Sequence, residues 1–301
     1  MVRELTLYPT PPYDFDLSFH SMGPSNPDPV VSFEEGILWQ LIALDSDREL
    51  MACVHSVGTC DKPELVLRLE ANTISDEDVE ISRNQIVRML CLDLELDHLY
   101  EAIMADPVLH RYCLHNRGLK PVIDASPFEA ITWAIIGQQV NLKFACQVKR
   151  GMLERYGRRI RYKGRTFFRY PEPKDLAFLD PVTWKEFKSS QRKAEYIIDF
   201  SRLITEGFDL EGLADLTDEE IIEKLLQIRG IGNWTAEYAL IQGFGRWNAL
   251  PTGDAGLQNC FKRLYELDRK PTYEELVKKA GSWQPYRGLA TYYLWWGKSE
   301  P

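Results

Sequence analysis

Three short apolar-rich stretches lead the chain, GILWQLIAL (36–44), ELMACVHSV (49–57) and ELVLRLEA (64–71). Polar turn residues separate them, Asp45 to Arg48 after the first and Gly58 to Pro63 after the second. Short apolar runs with that punctuation predict strands of an antiparallel sheet. The period then changes. SDEDVEISRNQIVRMLCLD (75–93) predicts a helix, with Ser75 as its N-cap and acids in its first turn. Residues 1–92 are thus expected to form a small N-terminal α+β domain, and residues 93–301 a second, mostly α-helical one.

The second part keeps a helical apolar period through ASPFEAITWAIIGQQVNLKFACQVKRGMLERYG (125–157), which starts at an N-cap, Ser126, and has Pro127 in the first helical position. YKGRTFFRYPEP (162–173) predicts a loop or a short hairpin. Residues 191–207 and 217–228 predict two more helices, and Thr217 with Glu220 forms a capping-box pattern at the second start. The last helices are expected at 254–267, 272–281 and 286–298. The fold class is α+β, with no internal repeat.

Composition narrows the class little. Of 301 residues, 45% are apolar and 27% charged, as in ordinary globular proteins. No apolar run reaches the length of a membrane span, and the N-terminus lacks the apolar core of a signal peptide, so a cytoplasmic location of the bacterial type is expected. Cys53, Cys60, Cys91, Cys113, Cys146 and Cys260 are scattered without metal-ligand spacing, which predicts reduced thiols. The histidines are equally dispersed, and no zinc site is expected. Net charge is −9, which argues against nucleic-acid binding by bulk charge. Distribution matters more. From Lys143 to Arg169 ten basic residues face one acid, Glu154, either as a nucleic-acid strip or as a solvated face.

The most informative segment is LLQIRGIGNWTAEYALIQGFG (225–245), where one helix ends near Ile228 and another starts near Asn233. Gly230 and Gly232 between them permit positive φ and close approach of a neighbouring backbone. Ile231 is expected to bury itself and stiffen the turn. Free N–H groups and the positive dipole end of the second helix make a natural seat for a phosphate oxygen. Gly-x-Gly alone marks only a turn. The full string Leu225-x-x-Ile228-x-Gly230-Ile231-Gly232-x-x-Thr235-Ala236 resembles the helix-hairpin-helix of the DNA glycosylase superfamily. The resemblance implies a helical domain with two lobes around a cleft, and a hairpin that grips one DNA strand through its backbone.

Members of that superfamily carry a catalytic Asp after the hairpin. Here LPTGDAGLQ places Asp254 24 residues beyond Gly230. Read locally, Asp254 is an N-cap, and the two roles are compatible, because a helix N-terminus stabilises an ionised carboxylate. Breaking an N-glycosidic bond builds positive charge on the sugar, which a nearby anion stabilises. In bifunctional relatives a Schiff-base lysine lies where this chain has Trp234, and no Lys occurs from 225 to 245. The four-cysteine iron–sulfur loop of some relatives is also lacking, since Cys260 is the last cysteine. A monofunctional enzyme without an iron–sulfur cluster or other cofactor is expected.

Trp234 and Tyr238, one helical turn apart, share a face. Trp-Thr-Ala-x-Tyr resembles the DNA-3-methyladenine glycosylase II family in particular, and the resemblance implies that both aromatics line the base pocket. An electron-rich ring attracts a cationic alkylated purine. PPYD (11–14), the N-terminal α+β segment and FEAITWAIIGQQV (128–140) extend the resemblance over nearly the whole chain. It implies DNA contacts at Gln138, Gln139, Gly230, Gly232 and Thr235, with Gln139 as the duplex wedge, where a relative can have Leu. Tyr286, in Trp283-Gln-Pro-Tyr286-Arg287, is expected in the pocket, and the YYLWW run (292–296) in the core. Main-chain carbonyls of Leu226, Ile228 and Ile231 are expected to suit one structural Na+ or K+. The implied partner is double-stranded DNA with damaged bases, bound by a monomer. Another lesion class, or a noncatalytic DNA-binding module, remains open at this point, as does a helical protein unrelated to DNA.

Overall fold

Residues 1–20 and 30–298 are described by the computed structural model. Its strands are β1 (Val2–Leu7), β2 (Val31–Glu34), β3 (Ile37–Ala43), β4 (Glu49–Ser56), β5 (Leu65–Glu70), β6 (Arg158–Tyr162) and β7 (Arg165–Arg169). The helices are α1 (Phe15–Phe19), α2 (Asp76–Met89), α3 (Asp97–Ala102), α4 (Pro107–His115), α5 (Pro127–Gly137), α6 (Leu142–Tyr156) and α7 (Pro173–Leu176). They continue as α8 (Gln191–Thr205), α9 (Asp218–Leu226), α10 (Asn233–Gln242), α11 (Ala255–Leu264), α12 (Tyr273–Ala280) and α13 (Arg287–Trp296). No helix among the described residues is long and apolar enough to cross a membrane.

β1 to β5 form one antiparallel sheet in the order β1-β5-β4-β3-β2. Successive side chains of a strand face opposite ways, and both faces of this sheet are covered. Leu38, Ile42, Leu50, Ala52 and Val54 share a core with Leu65, Leu67 and Leu69 and with Ile86 and Leu90 at α2. On the other face Leu41, Met51 and Cys53 pack with Phe167, and Trp39 with Tyr162 of the β6–β7 hairpin. That hairpin spans part of the stretch expected to be a loop or short hairpin and begins four residues earlier, at Arg158.

The basic stretch is thereby explained in part as a staple onto the sheet. Arg158 pairs with Glu49 at 3.2 Å, Lys163 with Glu70 at 3.0 Å and Arg165 with Glu34 at 2.7 Å. Lys149 is buried and pairs with Glu129 at 3.3 Å. Several of the ten cations therefore serve the fold, and a continuous nucleic-acid strip is not what the stretch forms. Arg159 and Arg161 remain exposed on the hairpin.

The helices make two cores. Ile131, Ile135, Met152, Ile197, Leu225, Ile231 and Leu240 belong to one, built from α5, α6 and α8 to α10. Leu99, Leu109, Leu257, Phe261, Leu276, Trp283 and Tyr293 belong to the other, built from α3, α4 and α11 to α13. The chain thus leaves the second lobe after α4, builds the first, and returns. Arg88 of α2 ties the sheet domain to the helices by donating to the carbonyls of Asp124 and Ala125, both at 3.0 Å.

The apolar period that runs from 125 to 157 is two helices, not one. The chain breaks at residues 138–141, where Gln139 adopts φ of 55° and Asn141 caps α6 by accepting from the Phe144 N–H. Periodicity does not register that break, because apolar positions keep their helical spacing on both sides of it. Ser75, Ser126 and Thr217 cap their helices as their patterns predict, with full capping boxes at Ser75 and Thr217.

Candidate active site

The α9–α10 turn is built by its two glycines in different ways. Gly230 has φ of +92°, and a Cβ there would lie 2.2 Å from Cγ of the Tyr196 ring. It is a packing position as well as a left-handed one. Ile231 is 6% exposed and its N–H donates to the Ile228 carbonyl at 3.1 Å, which closes the turn. Gly232 is the N-cap of α10 with φ of −107°, and a Cβ there would meet nothing within 4 Å. No side chain caps α10, whereas Thr217, Asp254 and Thr272 cap α9, α11 and α12. The turn therefore presents an open, positive helix end.

Asp254 caps α11 and also faces two indoles. Its Oδ1 accepts from the Leu257 N–H at 2.6 Å and from Trp295 Nε1 at 2.9 Å. Oδ2 accepts from Trp234 Nε1 at 3.0 Å. Trp234 comes from the hairpin lobe and Trp295 from the far end of α13, so the carboxylate sits where the two lobes meet. The rings continue as a wall. Trp234 and Tyr238 lie 5.7 Å apart between centroids, and Tyr238 and Trp295 5.9 Å apart. All three side chains are partly exposed. Burial raises the Tyr238 phenol well above its ordinary pKa, so it stays neutral. Lys149 Nζ lies 5.4 Å from the Trp133 centroid. One residue from Tyr238, burial lifts the Glu237 carboxyl to about 7, against an opposing effect of Arg287.

The structure brings Asp254, Trp234 and Tyr238 together, and Trp295 of α13 joins them. Trp295 belongs to the YYLWW run expected in the core. Tyr292, Tyr293 and Leu294 are indeed buried there. Tyr286 precedes Trp295 by nine residues, roughly 13 Å along the helix, and packs half-buried against the second core. Trp295 carries no local signal of its role, because its partner is 41 positions away in sequence.

Two of the residues expected to contact DNA are hydrogen-bonded to each other. Gln138 donates its amide to the Gly230 carbonyl at 2.9 Å and to Thr235 Oγ1 at 3.0 Å. Thr235 is 1% exposed. Both side chains brace the hairpin from within, so an outside strand can meet Thr235 only through its main chain. Gln139, in contrast, is exposed. Leu226 ends α9, and Ile228 and Ile231 lie in the turn that follows, so these carbonyls leave the helical ladder. Among the described residues no group of three or more His, Cys, Asp or Glu gathers as a metal site, and the six cysteines are free thiols.

Residues 132–285 match the family model of the HhH-GPD superfamily base excision DNA repair protein. The chain belongs to that superfamily, and it is a DNA glycosylase. It is 31% identical to the DNA-3-methyladenine glycosylase of Bacillus subtilis over 267 residues, 87% of this chain and 86% of that one. It is 25% identical to DNA-3-methyladenine glycosylase 2 of Escherichia coli over 56% of this chain and 57% of that one. In fold it is similar to the 3-methyladenine DNA glycosylase of Archaeoglobus fulgidus, with a TM-score of 0.84 and 23% identity over 97% of both chains. The 8-oxoguanine glycosylase/lyase of Clostridium acetobutylicum, solved with double-stranded DNA, has the same fold, with a TM-score of 0.75 and 19% identity over 98% of this chain and 96% of that one.

Proposed function

We propose that the protein removes alkylated purines of the 3-methyladenine and 7-methylguanine type from double-stranded DNA, as a monofunctional glycosylase. One observation carries the reading. Asp254 is held by two indole N–H groups at the foot of an aromatic wall formed by Trp234, Tyr238 and Trp295. N-alkylated purines are cationic and stack favourably on such rings. Relatives named for 3-methyladenine, matched along most of the chain, support the same substrate class.

In this reading the α9–α10 turn seats a backbone phosphate on the uncapped end of α10. The damaged nucleotide flips out of the stack, at a cost of a few kcal/mol that damage reduces. Its glycosidic bond breaks with the electron pair going to the base, which leaves neutral because it was already cationic. The positive charge left on the sugar faces Asp254. Water then attacks, and its proton passes to Oδ2 of Asp254 or to solvent. Oδ1 already accepts from two donors, so Oδ2 is the oxygen with room for it. Position 234 holds Trp, so no amine stands there to form a Schiff base and cut the strand.

A monovalent cation would fit the carbonyls of Leu226, Ile228 and Ile231, a neutral all-oxygen donor set. It would brace the turn and take no part in bond breaking. The protein is expected to act as a monomer in the bacterial-type cytoplasm. A panel of duplexes carrying single lesions tests the reading. Release of methylated purines without strand cleavage is expected. Release of only uracil or 8-oxoguanine would reject it in favour of another lesion class, and binding of abasic DNA without release of any base would reject catalysis.

A further inference from the structure

We propose that Lys193 and Gln138 are positioning residues that lock the loop bearing Gln139 to the phosphate-seating hairpin, so that gripping the strand and extruding the base act as one unit. The inference rests on the proposed glycosylase reading, in which Gln139 fills the gap left by the flipped base.

The loop between α5 and α6 spans only residues 138–141 and holds Gln139 exposed with φ of 55°. A side chain on a four-residue loop, with a left-handed backbone, needs outside support to keep one direction. The C-terminal end of α5 has carbonyls outside the helical ladder. Lys193, from the first turn of α8, donates its ammonium to two carbonyls at this end, Ile136 at 2.8 Å and Gln138 at 2.6 Å. It is a cation used on backbone rather than on a carboxylate, and burial lowers its pKa. Positive charge at a helix C-terminus is also favourable to the helix dipole.

From the same loop the Gln138 amide crosses to the hairpin. Its two hydrogen bonds reach the Gly230 carbonyl in the α9–α10 turn and the Thr235 hydroxyl in the first turn of α10. One side chain thus bridges both sides of the turn, and the residue immediately after it is Gln139. Lys193 fixes the loop's main chain, and Gln138 fixes its register on the hairpin. A strand seated on the hairpin is then held in a set position relative to Gln139. Side chains joined in this way act as a network, and removing one member loosens the rest.

The clamp is tested with K193M, Q138A and Q139A in the full chain. The probe is DNA treated with a methylating agent, offered as duplex and as heat-denatured single strands. In a single strand the base is already unpaired, so the extrusion step is largely bypassed. All three variants are expected to lose about tenfold or more in single-turnover release from duplex, and less than about twofold from single strands, as for lost hydrogen bonds that act only in extrusion. Combining Q138A with Q139A should add little, since both remove the same step. Equal losses on duplex and single strands, or additive losses in the double variant, would overturn the clamp. Fluorescence of 2-aminopurine beside an abasic-site analogue reads unstacking without base release. If the wild type unstacks the probe and the variants do not, the clamp stands even where no methylated base is released, in which case only the substrate reading fails. Unstacking at wild-type level in Q139A, whose exposed side chain can be removed without disturbing the fold, would refute it.

Discussion

Replacing each hairpin glycine by alanine separates what folds the turn from what uses it. At Gly230 the new Cβ meets the root of the Tyr196 side chain, with Cγ at 2.2 Å, Cδ2 at 2.5 Å and Cβ at 2.7 Å. Those atoms cannot swing aside by a rotation about the ring bond, and the ring is flanked by Arg229 at 5.2 Å and Arg192 at 5.8 Å. Overpacking of this kind costs about 1–3 kcal/mol. The left-handed backbone adds roughly 1–2 kcal/mol for any residue with a Cβ. G230A is therefore expected to lower unfolding free energy by about 2–5 kcal/mol, if the transition is two-state. At Gly232 neither term applies, because φ is −107° and the Cβ space is open. Alanine is a poorer N-cap than glycine, so G232A should cost only about 0.5–1 kcal/mol in stability. Its methyl group instead occupies the exposed face where a phosphate would approach, so affinity for DNA should fall more than stability does. Urea denaturation and fluorescence-anisotropy titration with a duplex measure both quantities. A G230A protein with an unchanged urea midpoint, or a G232A protein that keeps full affinity, would refute the division of labour.

Other outcomes follow from the same geometry. W295F keeps a ring but removes one N–H donor from Asp254, leaving the Leu257 N–H on the same oxygen; at about 1.5–3 kcal/mol for a hydrogen bond to a charged group, single-turnover release should fall roughly 10- to 150-fold with little change in DNA affinity. Wild-type release rates for W295F would show that the indole N–H is dispensable. Arg229 is held by Asp199 at 2.9 Å and Glu195 at 3.0 Å, so R229Q should leave the salt dependence of DNA binding unchanged; losing about one unit of the log–log slope would mean that Arg229 leaves its acids for a phosphate. Glu237 is raised to about 7 in the fold by burial. The folded state then binds the proton more tightly than the unfolded one, and stability falls as pH rises from the ordinary carboxyl range through about 7. E237Q removes that penalty, so its melting temperature should gain on the wild type at pH 8 relative to pH 5, and an equal difference at both pH values would contradict the burial argument.

Much of this site is written locally, and the exceptions share a cause. The hairpin is legible because turn geometry, a buried Ile231 and a following helix start are all encoded within twelve residues. Asp254 is legible twice, as a cap from Leu257 three residues on and as a carboxylate behind the hairpin. The sheet is legible where strands alternate between two covered faces, as in β3 and β4. β1 is not, since VRELTL buries only Leu7 fully. Trp295 was invisible because its meaning depends on Asp254 and Tyr238 meeting it across the lobes. The internal bonds of Gln138 and Thr235 are not legible in the sequence for a related reason. Polar side chains on a binding element look like contacts to a ligand, yet here they satisfy each other and the Gly230 carbonyl inside the protein. The basic stretch from Lys143 to Arg169 shows the same effect, for the acids that Arg158, Lys163 and Arg165 meet lie on β4, β5 and β2, more than 90 residues upstream.

The central claim is that Asp254, set between two indoles, drives hydrolytic release of cationic alkylated purines. Mass spectrometry of bases released from methylated duplex DNA by the wild type and by D254N tests it most directly. The account predicts 3-methyladenine and 7-methylguanine from the wild type, with the DNA strand left uncut, and neither base from D254N although that variant still binds DNA. Release by D254N at the wild-type rate, or no methylated purine from the wild type, would contradict it.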